Sequence, residues 1–97
     1  MTTPSATLAA FAANTTFTDI PEPVVRKIED LWVDWVGSVV AGKGARAVET
    51  IAQFAIAAGP EQGTAEIINV RRTTSPYFAA MANAAASHVA EQDDVHN

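Results

Sequence analysis

Residues Asp19 to Gly42 read DIPEPVVRKIEDLWVDWVGSVVAG, and this stretch decides the fold class. Asp19-Ile20-Pro21-Glu22 is a helix start: an acid at the N-cap, a proline in the first turn and a glutamate three residues on. A helix is expected from Pro21 to about Ala41. Its apolar positions are Val24, Val25, Ile28, Leu31, Trp32, Trp35, Val36, Val39 and Val40. The stripe is wide, and between Trp35 and Val40 it nearly encircles the helix, which predicts burial on more than one side. Gly42-Lys43-Gly44 ends it with a residue able to take positive φ. The same three residues do not make a phosphate loop, which needs a preceding strand and Ser or Thr after the Lys.

Working outward, three shorter helices are expected. The first runs from about Ser5 to Ala13, with Leu8, Phe11 and Ala12 on one face, and Asn14-Thr15-Thr16 stops it by competing for backbone hydrogen bonds. The third runs from about Ala45 to Ala58, with Val48, Ile51, Ala52, Phe54 and Ala55 inward, and Gly59-Pro60 closes it. Ser75-Pro76 starts the fourth, an N-cap serine before a first-position proline, which continues to about Ala90. Phe78, Met81, Ala82, Ala85 and Val89 form its apolar face. Residues 61–74 are the least helical. Ile67, Ile68 and Val70 favour extended backbone, but one isolated strand makes no sheet, so an extended connection is expected there. The fold class is all-α, with four helices in a single incomplete domain.

The chain has 97 residues, 48% hydrophobic and 18% charged, and much of the apolar share is alanine. Alanine favours helix strongly but buries little area, so helices are specified better than a self-sufficient core. The wide second helix then calls for further partner surface. Six Lys plus Arg against eleven Asp plus Glu give a net charge of -5, a balance that attracts no phosphate backbone. The basic pairs Arg26-Lys27 and Arg71-Arg72 read as ordinary surface charge. With no cysteine there is no disulfide, thiolate nucleophile or Cys-based metal site. The N-terminus, Met1 to Phe17, carries no basic residue and has no long apolar core, so a cytoplasmic protein is expected.

One segment is chemically loaded: His88-Val89-Ala90-Glu91-Gln92-Asp93-Asp94-Val95-His96-Asn97. Three carboxylates and two imidazoles fall within nine residues, His88 to His96. His88 and Glu91 are one helical turn apart and so are expected to share a face. Asp93 and Asp94 sit where a helix macrodipole disfavours negative charge. Three readings stand on the residues alone: a solvated polar tail, a metal site, and a general acid/base cluster. The spacing matches no closed metal site. Adjacent carboxylates raise each other's pKa and an imidazole titrates near neutrality, which is equipment for moving a proton beside a carboxylate-bearing substrate. An anionic substrate would also need basic residues, and this segment has none.

In order and spacing the whole chain resembles the N-terminal part of the MmgE/PrpD family, which includes 2-methylcitrate dehydratase, cis-aconitate decarboxylase and iminodisuccinate epimerase. The carrying residues are Leu8-Ala9-Ala10-Phe11, Ile20-Pro21-Glu22-Pro23-Val24-Val25, Asp34-Trp35-Val36-Gly37, Val40-Ala41-Gly42, Ser75-Pro76, Ala82-Asn83-Ala84-Ala85 and the run from Ser87 to Asn97. The resemblance implies the N-terminal portion of an all-helical domain, with a smaller α/β lid lying elsewhere in the enzyme, and a homodimer joined through helical surfaces. It implies a lyase or isomerase of small di- or tricarboxylic acids that abstracts a proton α to a carboxylate and needs no cofactor and no metal. Its acidic motif carries over onto Glu91, Asp93 and Asp94, with His96 beside it. Many members carry Asp at the place of Glu91 and an aromatic at that of Gln92. Members are several times longer and draw further His, Lys and Tyr residues from downstream, so the chain is expected to be a fragment, inactive alone. The competing reading is a stand-alone helical module for protein interaction or oligomerisation.

Overall fold

The computed structural model describes residues 1–91. The chain forms two compact units, Met1–Leu31 and the residues from Trp32 onward.

In the first unit, α1 spans Pro4–Asn14. Thr3 caps it, its Oγ1 accepting from the Ala6 amide at 3.2 Å. Thr15 ends it, donating from its amide and its hydroxyl to the Phe11 carbonyl at 3.0 and 2.6 Å. The side chain that competes for a backbone carbonyl thus terminates the helix, as the Asn14-Thr15-Thr16 run predicts. None of its residues is buried; Leu8 and Phe11 stand open.

Asp19 is not the cap of the second helix. It closes a short 3-10 turn, Phe17–Asp19, and its Oδ2 accepts from the Thr16 amide at 2.8 Å and the Thr16 hydroxyl at 2.7 Å. The carboxylate is used locally, three residues back, before the chain reaches Pro21. Helix α2 then spans Glu22–Ala41. Its first carbonyl acceptor is that of Pro21, bonded by the amides of Val24 and Val25 at 2.9 and 3.2 Å. Pro21 and Pro23 have no N–H, and they stand where a helix start leaves donors unpaired. Along α2, Val24, Ile28, Trp32, Val33 and Val40 are exposed, whereas Val39 is fully buried.

In the second unit, α3 spans Arg46–Ala58 and α4 spans Pro76–Val89. Gly44 takes φ +88 between α2 and α3, the conformation its position after the helix calls for. Its amide donates to Glu49 Oε1 at 2.9 Å. One cluster joins Val39, Val48 and Ala86, with Trp35, Ala45 and Ile68 against it. The other joins Ala55, Ile67, Ala79 and Ala82, flanked by Ile51, Ile56, Phe78 and Met81. Gly42 is buried on α4: a Cβ there would overlap the Ala86 carbonyl.

The inward faces differ from expectation in a consistent direction. Helix α4 buries Ala79, Ala82 and Ala86, while Phe78, Met81 and Ala85 lie at the margin and Val89 is exposed. Helix α3 buries Val48, Ala52 and Ala55 and leaves Phe54 exposed, edge-on to Phe78 at 6.3 Å between centroids. Small side chains let backbones approach, so the helices meet on their alanines and the rings pack around the seam. Ser75 does precede α4 in extended backbone, but its hydroxyl makes no cap bond.

Residues 61–74 hold a small sheet where an extended connection is expected. Strands β1 (Ala65–Ile67) and β2 (Arg72–Thr74) pair antiparallel, Ala65 with Thr74 and Ile67 with Arg72. A 3-10 turn, Ile68–Val70, and Arg71 at φ 55 close the hairpin. The second strand comes from Arg72-Thr73-Thr74, and no Asn or Gly marks the left-handed position. Among the described residues, no helix is long and apolar enough to cross a membrane.

Candidate functional site

The loaded segment hangs from α4, so its position depends on how α4 is held. Three alanines anchor the helix in the core, and one polar residue ties it to the hairpin. Asn83 Nδ2 donates to the Glu66 carbonyl at 2.8 Å, and Asn83 Oδ1 accepts from the Ile68 amide at 3.0 Å. Both ends of one amide are thus spent on β1 and its turn. Asn69 Nδ2 reaches the Val39 carbonyl at 2.7 Å and ties the turn to α2. Buried Thr74 donates to the Pro60 carbonyl at 3.2 Å. Residue-by-residue reading missed these roles. A signal for Asn83 exists: it is four residues after Ala79 and three before Ala86, on the buried side of an alanine-rich helix, where a lone amide must find partners.

His88 is exposed in the last turn of α4. The helix stops at Val89, and Glu91 takes φ 48, its amide donating to the His88 carbonyl at 3.0 Å. The expectation that His88 and Glu91 share a helical face therefore fails, because the backbone leaves the helix before Glu91. The left-handed region costs a non-glycine residue on the order of 1 kcal/mol or more. An acid beside the unpaired carbonyls of a helix end adds an electrostatic cost. Glycine would avoid both, so the choice of Glu91 breaks two local rules at one position. Its carboxylate is exposed. Asp93, Asp94 and His96, the other three candidate residues, lie outside the described residues.

Among the described residues, no three His, Asp or Glu side chains come together as a metal-binding group. A separate concavity lies within Met1–Leu31, a groove of about 450 Å³ lined by Phe11, Thr15, Asp19, Ile20, Pro21, Val24 and Ile28. Its wall is apolar apart from Thr15 and Asp19, which offers shape but little chemistry.

No curated protein and no solved structure gives a significant match to the chain. The family model of the MmgE/PrpD N-terminal domain matches residues 6–97. The match takes in α1 from its third residue, α2 through α4, the hairpin and the acidic run beyond them. The mostly helical architecture, four α-helices with one small hairpin among the described residues, agrees with it. The chain is a member of the MmgE/PrpD family and carries its N-terminal domain.

Proposed function

We propose that the chain supplies the acidic part of an active site to an enzyme of small di- or tricarboxylic acids. A carboxylate of the run Glu91, Asp93, Asp94 takes the proton α to a substrate carboxylate, and its electron pair passes toward that carboxylate. For dehydration that pair expels a β-hydroxyl, which takes a proton and leaves as water; for epimerisation a proton returns to the opposite face; for decarboxylation the abstracted proton is first returned at another carbon, and the pair left by departing carbon dioxide takes up a proton from the same acid/base group. Asp93 is the first choice for the base. Asp94 adjoins it in sequence and Glu91 precedes it by two residues; adjacent carboxylates favour proton uptake, and an imidazole such as that of His96 is equipped to exchange protons. In this reading the cations that hold the substrate come from elsewhere in the enzyme, so the chain has no activity alone. The enzyme works as a cytoplasmic homodimer without metal or cofactor. The single observation that carries the reading is the family match through the acidic run at residues 91–96.

The test uses the chain by itself and joined to the remaining sequence of a family enzyme. Alone, it should turn over none of 2-methylcitrate, cis-aconitate and iminodisuccinate. Joined, it should support turnover of one of them. In that enzyme Asp93→Asn should lower the rate about a hundredfold to ten-thousandfold, the range for loss of a general acid or base, with an unchanged melting temperature. Turnover by the chain alone, or full activity in Asp93→Asn and Asp94→Asn, would overturn the proposal.

A further inference from the structure

We draw no further inference here: the strongest candidate, the apolar groove that Phe11, Ile20, Val24 and Ile28 line within Met1–Leu31, is an unpartnered face, and nothing in the structure shows what covers it.

Discussion

Thr16 gives Asp19 two donors, a hydroxyl and an amide, and the pair holds the carboxyl below the usual aspartate range, the hydroxyl contributing most. The sign of the pH effect follows. The charged form accepts both bonds, so whatever the turn gains is present above the ordinary aspartate pKa. It is lost as pH falls through the lowered value. A carbon-13 titration of the Asp19 carboxyl should show a midpoint below that of a free aspartate, and Thr16→Val should move it upward. A midpoint unchanged by Thr16→Val would mean that the hydroxyl bond does not persist in solution. At this scale the sequence was legible only in part. An acid before Ile20-Pro21 looks like a helix cap, but Thr16-Phe17-Thr18-Asp19 also has capping-box spacing, and Thr16 captures the acid first. The break at Glu91 was not legible, because the residue was read as continuing the face of His88 and positive φ in a non-glycine residue leaves no mark in the residue order.

Gly37 within α2 and Gly42 just past its end give opposite expectations and so test how the helix is used. Gly37 has nothing within 4 Å of where a Cβ would stand, so Gly37→Ala should stabilise by about 0.5–1 kcal/mol through helix propensity. Gly42 meets the Ala86 carbonyl there, and Gly42→Ala must push α4 away; a loss of about 1–3 kcal/mol is expected for overpacking. Thermal unfolding followed by circular dichroism reads both, and equal effects would sink the proposed contact. The hairpin offers a third case. Asn83→Leu strands the Glu66 carbonyl and the Ile68 amide, at about 1–3 kcal/mol for each group that water cannot reach. Amide exchange at Ile68 should accelerate well beyond that at Ala52; equal acceleration at both would show global rather than local loosening. Helix number and helix ends were readable from prolines, threonines and glycines. The hairpin was not, because its partner strand has no alternation to show and Arg71 occupies the position that Asn or Gly usually marks.

Among the described residues, many large apolar side chains lie outside, while most of the buried ones are small. Trp32 is 63% exposed, Ile28 59% and Val40 53%, values at odds with the apolar stripe they form. A face of that kind drives association or loose packing unless something covers it. The purified chain should show helical circular dichroism together with self-association in sedimentation velocity or binding of a hydrophobic dye. Trp32→Lys should reduce either signal. A sharply melting monomer that binds no dye would show the exposed row to be harmless. The width of this stripe was legible in the sequence, since periodicity records which face is apolar. What meets that face is not, because periodicity carries no record of the neighbour.

Five of the eight buried hydrophobic residues described are alanines, and this inverts the usual pattern of mutational risk. Most domains fail when a large core side chain is cut down and a void is left behind. Here Ala52, Ala55, Ala79, Ala82 and Ala86 have almost nothing to remove. Damage must come instead from enlargement, since these positions are buried and extra methyls have to be fitted into a packed interior. Tolerance should therefore follow side-chain volume rather than polarity: serine should be easier to accept at these positions than valine, although valine is the more apolar.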